Sequence, residues 1–160
     1  MGPAKIVEGA HDGSGQRHAV VVARWNDFIT LRLLEGVRDG LASHKVAEDA
    51  VSIFYVPGAF ELGATAKKLA SSGNYDSVIC LGCVIRGDTD HYQFVAGETS
   101  RLIAQASYDT GIPVIFGVLT TNNVDQAMER AGKKEGNKGY EAAVTAIEMA
   151  ALYRKIGGGK

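Results

Sequence analysis

One pattern recurs along the chain: a short apolar run, then a Gly, Pro or polar cluster, then a stretch with helical spacing. The apolar runs cover residues 18–23, 51–56, 77–84 and 113–119. Continuous apolar runs of this length are typical of strands buried on both faces of a parallel sheet. Because helical stretches separate them, the sequence predicts βαβ units in a three-layer α/β sandwich with a mainly four-stranded parallel sheet.

The helical stretches are set by apolar spacing. In residues 27–44, Ile29, Leu33, Val37 and Leu41 recur on one helical face, and Asn26 or Asp27 can cap the start. Four more helices are predicted over residues 59–71, 91–108, 124–131 and 139–156, the second of these four ending at Gly111.

The two ends of the chain lack this pattern. Residues 1–16 are predicted to form an arm or, near Ile6 and Val7, a short strand, and residues 157–160 a flexible tail. At 160 residues, the whole of 1–160 is expected to be a single domain.

Composition narrows the class of protein. Lys and Arg total 17 and Asp and Glu total 18, and this balance gives no support to nucleic acid as a partner. No apolar run approaches the roughly 18 residues that span a bilayer, so no membrane contact is expected. Two cysteines make no disulfide framework, and the N-terminus has no apolar signal region, so we expect a cytoplasmic protein.

Unusual residues collect just after the predicted strands. The segments are 24–27 (RWND), 57–61 (PGAFE), 86–91 (RGDTDH) and 120–123 (TTNN). In open parallel sheets, ligands bind outside the carboxyl ends of the strands. The sequence therefore predicts the functional site at that edge.

Residues 86–91 allow two interpretations. Asp88, Thr89 or Asp90 can simply cap the following helix. Alternatively, the free amides of the helix start bind phosphate while His91 transfers protons near neutral pH. The cap explains neither Arg86 nor His91, so both interpretations stay open on spacing alone.

Several other features have plain structural explanations. Cys80 and Cys83 form a CxxC inside an apolar strand and have no second pair for zinc, so we predict core thiols. The Gly- and Lys-rich loop 132–139 does not match a P-loop and is a solvated loop by default, although Arg130 and Lys138 could meet an anion there. Trp25 is either a core residue or a stacking platform for a flat heterocycle. The remaining histidines are predicted at the surface or at strand edges: His11, His18 and His44.

Five segments in register resemble the lumazine synthase family. The resemblance covers nearly all of residues 18–156 and implies a flavodoxin-like α/β sandwich, which agrees with the prediction from periodicity. The segments are 24–28 (RWNDF), 56–61 (VPGAFE), 81–91 (LGCVIRGDTDH), 113–121 (PVIFGVLTT), and 129–132 with 136–139 (ERAG and GNKG).

The resemblance implies a reaction in riboflavin biosynthesis. The family condenses 5-amino-6-(D-ribitylamino)uracil with (S)-3,4-dihydroxy-2-butanone 4-phosphate to give 6,7-dimethyl-8-ribityllumazine, phosphate and water. No step of it needs a metal or redox cofactor, so none is expected. An alternative of the same fold is a non-catalytic assembly protein that binds a flavin or lumazine; the presence of Arg130 and His91 favours the enzyme.

The resemblance also implies roles for individual residues. His91 matches the proton-transfer histidine, and Arg130 the phosphate-binding arginine, helped by Asp88 and Thr89. Trp25 matches the aromatic that stacks on the uracil ring. The remaining matches hold the pyrimidine and ribityl chain, several of them through backbone: Ala59, Phe60, Glu61, Cys83, Val84, Ile85, Lys138 and, from a neighbouring subunit, Phe116.

Three departures from the commonest family pattern bear on these roles. Trp25 stands where Phe is usual, which preserves stacking but can change the ring register. Cys83 stands where a small residue or Thr is common. Asp88 and Asp90 place carboxylates beside a proposed phosphate site, so we expect Asp88 to act through its N–H with its carboxylate turned away.

Self-association is the expected macromolecular interaction. The resemblance implies a homopentamer with shared sites, which some family members stack into sixty-subunit shells. The short loop 132–139 favours the shell, but the sequence leaves pentamer, decamer and shell open.

Overall fold

A computed structural model describes residues 2–158, and its core is one parallel sheet. The four strands lie in the order β2-β1-β3-β4. The strands are β1 (His18–Ala23), β2 (Val51–Val56), β3 (Ser77–Ile85) and β4 (Val114–Thr121), and the helices are α1 (Asp27–Ser43), α2 (Leu62–Ala70), α3 (His91–Thr110), α4 (Val124–Arg130) and α5 (Lys138–Ile156).

Helices cover both faces of the sheet. Val20 and Val22 of β1 pack in the cluster formed with α1 and α5, whereas Val21 packs in the cluster formed with α2 and α3. Because successive strand residues point to opposite faces, a strand between two helical layers must be apolar at every position. The predicted three-layer α/β sandwich is confirmed.

The strand order places a crevice between β1 and β3. From β1 the chain crosses by α1 to the outer strand β2, whereas from β3 it crosses by α3 in the opposite direction to β4. Loops leaving the ends of β1 and β3 therefore diverge, and such a switch point is where doubly wound sheets bind ligands.

Element boundaries differ from the predictions by a few residues. The helix predicted from residue 59 begins with a 3₁₀ turn, Ala59–Glu61, before α2. β4 extends to Thr121, two residues past its predicted end. Gly111 ends α3 as predicted, in the left-handed conformation with φ 72°.

Of the two alternatives predicted for the N-terminus, an arm or a strand, the described residues form an arm, and no strand occurs at Ile6 and Val7. Ile6 is exposed, and the arm is held by polar contacts instead. Lys155 Nζ donates to Glu8 O at 2.6 Å, and His11 Nε2 lies 2.7 Å from Glu148 Oε1. At the other end, Gly157 and Gly158 form an exposed turn, and residues 159–160 of the predicted tail lie outside the described residues.

His18 does not lie at the surface, which is one of the two positions predicted for it. It is fully buried at the start of β1, between Ser77 and Gln16. Gln16 Nε2 donates to Ile147 O, which turns Gln16 Oε1 toward the imidazole. His18 Nε2–H therefore donates to Gln16 (2.9 Å) and Nδ1 accepts from the Ser77 hydroxyl (2.6 Å). Burial lowers the pKa of His18 to about 4, while nearby Asp76 opposes the shift.

None of the helices within residues 2–158 is long and apolar enough to cross a bilayer.

Candidate functional site

The first candidate site is a cavity of about 540 Å³ at the carboxyl ends of the strands, here called the switch-point cavity. Three connections converge on it: the one after β1, the 3₁₀ turn before α2, and the loop from β3 into α3. Its lining includes Trp25, Ala59, Phe60, Glu61, Cys83, Val84, Ile85, Thr89 and His91, all predicted from sequence, together with Tyr92, Phe94 and others.

Trp25 lies at the lip of this cavity and is 73% exposed, so it is not a core residue. Phe60 is also more than half exposed. Exposed aromatic rings beside a cavity offer flat apolar faces that a heterocycle can cover. Of the two interpretations of Trp25, only the stacking platform agrees with this position.

Asn26 is the first residue before α1, and its side chain connects two walls of the cavity instead of bonding to the helix. It adopts the left-handed conformation, φ 64°, and makes no side-chain hydrogen bond to the helix. Its Nδ2 donates to Cys83 O at 2.8 Å. Of the two residues predicted to cap α1, Asn26 occupies the cap position, but its side chain makes no cap bond because the amide is used to hold the loop after β1 against the end of β3.

The start of α3 exposes His91 to the cavity. Thr89 Oγ1 accepts a hydrogen bond from the His91 amide at 3.3 Å, whereas Asp90, in the cap position, makes no side-chain bond to the helix. Asp88 is exposed and is not among the lining residues. His91 therefore lies in the first turn of α3 with its side chain accessible.

A second cavity, of about 560 Å³, lies along the outer strand β4 beside α5, and we call it the β4 cavity. Phe116, Arg130 and Lys138 line it. Arg130 Nη1 donates to Gln126 O in its own helix at 3.0 Å, and it forms no ion pair with any residue of 2–158. Lys138 Nζ lies 2.9 Å from Glu141 Oε2.

Apart from Asp88, which lines neither cavity, the predicted site residues therefore fall into two groups. The two cavities share no lining residue, so one chain does not bring Arg130, Lys138 and Phe116 to Trp25 and His91. Among the described residues, the lining of the switch-point cavity contains no Arg or Lys, and the lining of the β4 cavity contains no His.

Arg86, left unexplained by sequence reasoning, joins the two regions. Its guanidinium lies 4.5 Å from the ring centroid of Tyr92, the neighbour of His91. Its Nε donates to Asn122 Oδ1 at 3.2 Å, and the Asn122 amide donates to Gln126 Oε1 at 2.8 Å. Since Gln126 O accepts from Arg130, polar and cation–π contacts run from the start of α3 to the end of α4.

The cysteines do not form a reactive pair. Cys80 and Cys83 are buried and free, and they pack in different clusters on opposite faces of β3. Burial raises the pKa of Cys80 to about 12 and that of Cys83 to about 11, so neither is a thiolate at neutral pH. The prediction of core thiols is confirmed. No cluster of three or more His, Cys, Asp or Glu within residues 2–158 has the arrangement of a metal site.

A comparison with known families finds a match that covers most of the chain. A family model described as 6,7-dimethyl-8-ribityllumazine synthase matches residues 15–154. The chain belongs to this family. Membership supports a lumazine synthase function in riboflavin biosynthesis in general, and it implies an enzyme of the transferase class. It also agrees with the flavodoxin-like fold and explains why the five motif segments occur in register.

Proposed function

We propose that this protein condenses 5-amino-6-(D-ribitylamino)uracil with (S)-3,4-dihydroxy-2-butanone 4-phosphate to form 6,7-dimethyl-8-ribityllumazine. The observation that carries the proposal is the convergence of an exposed Trp25, a free Glu61 carboxylate and an accessible His91 on one cavity. That set suits a flat heterocycle with a polyol chain and a reaction that moves protons.

The pyrimidine would bind in the switch-point cavity. Trp25 stacks on the uracil ring, while the backbone of Ala59–Phe60 and of 83–85 meets its polar edge. The Glu61 carboxylate makes no hydrogen bond with any residue of 2–158, so it can accept from ribityl hydroxyls.

The phosphorylated ketone would place its phosphate near Arg130 and the start of α3. Amine attack on the ketone gives an imine, and loss of phosphate leaves an anion that a guanidinium stabilises by charge-assisted hydrogen bonds. Thr89 and the Asp88 amide would assist from the helix start. His91 would accept and return the protons that imine formation, elimination and ring closure require. Holding both substrates together supplies much of the rate.

These roles require two chains for one site. Arg130, Lys138 and Phe116 line one cavity and Trp25 and His91 another, so we propose that the β4 cavity of one subunit closes the switch-point cavity of its neighbour. A head-to-tail contact of this kind generates a ring, and a pentamer is the ring we propose.

Mixing two defective variants tests the shared site. His91→Ala and Arg130→Ala subunits, dissociated and reassembled together in equal amounts, should recover about one quarter of wild-type activity, because random neighbours restore one site in about four. Each variant reassembled alone is the control. No recovery in the mixture would show that one chain supplies both residues.

Binding can be separated from turnover through the single tryptophan. Trp25 is the only Trp of the chain, so stacking of a pyrimidine or lumazine should quench its fluorescence. Quenching together with lumazine formation supports the enzyme. Quenching without any turnover would favour the non-catalytic binding protein instead.

Higher assembly is a separate proposal. The short loop 132–139 would let pentamers approach one another, and we propose the sixty-subunit shell. Light scattering coupled to size exclusion distinguishes it from a pentamer, and full activity in a species near 16.9 kDa would contradict both.

A further inference from the structure

A buried amide, Asn137, holds the segment that carries the two cations of the β4 cavity. It is 3% exposed. Its Oδ1 accepts from the amides of Gly139 (2.8 Å) and Tyr140 (3.1 Å), which caps α5. Its Nδ2 donates to Gly132 O (2.9 Å) and Arg32 O (3.3 Å). All the hydrogen-bonding positions of the side chain are therefore used.

These four bonds join three parts of the chain. Gly132 comes directly after the end of α4, where Arg130 lies, and Lys138 is the residue next to Asn137. The bond to Arg32 O, in α1, attaches this loop between α4 and α5 to α1. Asn137 thus fixes the end of α4 and the start of α5 relative to each other, and with them the two cations of the cavity.

The packing around Asn137 is built to hold it in place. A Cβ on Gly36 would lie 2.1 Å from Asn137 Oδ1, and a Cβ on Gly139 would lie 2.0 Å from Leu33 O. Neither distance is tolerable, so both positions need glycine. α1 and α5 approach closely where the amide sits.

A helix cap alone does not explain this residue. Asp is as good a cap as Asn because only an acceptor oxygen is needed. Only an amide also donates to two carbonyl oxygens, and those two bonds are the ones that reach Gly132 and α1.

We infer that Asn137 is a positioning residue that sets the separation of Arg130 and Lys138 for a phosphorylated substrate. This inference rests on the proposed function for its substrate. Losing the two N–H donors should misplace the cations without unfolding the helix cap, so the phosphorylated ketone should be affected and the pyrimidine spared.

The test compares two variants of Asn137 with Asn123→Asp. Asn137→Asp keeps a capping oxygen and removes both N–H donors, whereas Asn137→Ser keeps a capping oxygen and leaves at most one O–H donor in place of two. Asn123 is the matched control because its side chain only caps α4, by accepting from the Gln126 amide at 2.9 Å. We expect both Asn137 variants to raise the KM for the phosphorylated ketone about tenfold, with less than about a twofold change in the KM for the pyrimidine. Asn123→Asp should change neither.

A second readout uses inorganic phosphate and needs no turnover. Phosphate should raise the Tm of the wild-type protein, and this rise should be smaller in the Asn137 variants. If Asn137→Asp does not fold because its carboxylate faces two carbonyls, Asn137→Ser carries the test.

The outcomes separate the two proposals. An active wild type whose Asn137 variants lose affinity for both substrates equally, or for neither, overturns the positioning role and leaves the proposed function intact. An inactive wild type that still binds phosphate, more weakly after Asn137→Ser, contradicts the proposed function and supports the positioning role. Equal phosphate binding in the wild type and both variants overturns the positioning role of Asn137.

Discussion

The two ends of the central sheet each carry a histidine, and the two are held in opposite ways. His18, at the amino end, is fully buried, with both ring nitrogens hydrogen-bonded within the chain. His91, at the carboxyl end, is exposed on a helix start beside a cavity. The same side chain is part of the core at one end and available to a ligand at the other.

This difference shows how a parallel sheet divides stability from function. At the amino end, Gln16, His18 and Ser77 satisfy one another, and they leave no group for a substrate. At the carboxyl end, Trp25, Glu61 and Arg130 keep their functional groups exposed. We therefore expect substitutions at one end to change stability and at the other to change turnover.

The largest effect separating the two ends should come from His91→Ala. Turnover should fall by about 10- to 10⁴-fold, because positioning of the substrates persists while proton transfer is lost. The Tm should hardly change, since the side chain is exposed. The matched variant, His18→Ala, should lower the Tm and leave the turnover of the remaining folded protein intact. Wild-type rates for His91→Ala across pH 6–8 would remove the distinction.

The next effect concerns the phosphorylated substrate. Arg130→Ala should lower kcat/KM for the ketone by about 30- to 1000-fold, or about 2–4 kcal/mol, while pyrimidine binding measured by Trp25 quenching is retained. Arg154→Ala is a control for loss of one positive charge, since Arg154 pairs only loosely with Asp76 at 3.9 Å. An unchanged KM and kcat for the ketone would refute the role of Arg130.

The smallest expected effect concerns the buried end of the sheet and is a pH dependence of stability caused by His18. The unfolded chain protonates His18 below about pH 6.5, whereas the folded chain does so only near pH 4. Between these values the unfolded state binds more protons, so the free energy of unfolding should fall as the pH is lowered, by up to about 3 kcal/mol. Urea unfolding at several pH values checks this, with His18→Gln as the non-titrating variant. An equal pH dependence in both proteins would show that His18 does not cause it.

Much of the fold could be predicted from short stretches of sequence, because apolar periodicity and backbone preference depend on neighbouring residues. Residues 18–23 and 77–84 are predicted as buried strands because every position after His18 and Ser77 is apolar or Gly. Gly111 is predicted to end a helix because glycine readily adopts positive φ. The location of the site at the carboxyl ends followed from the parallel arrangement.

Other features could not be predicted because they depend on distant partners. Asn26 sits where a cap is expected, yet its amide binds Cys83 O, more than fifty positions away. The burial of His18 depends on Ser77 and Ile147. Asn137 carried a usable signal, an Asn just before a helical stretch, but its bond to Arg32 O could not be seen in the sequence.

By itself, the sequence determined the order of strands and helices, the edge of the sheet where chemistry is placed, and the family motifs. Only the tertiary structure decided which motif residues meet: Trp25 and His91 share one cavity, while Arg130, Lys138 and Phe116 line another. The reason is physical. Periodicity and turn preference act over a few residues, whereas a cavity is formed by the packing of segments whose separation along the chain carries no information about their separation in space.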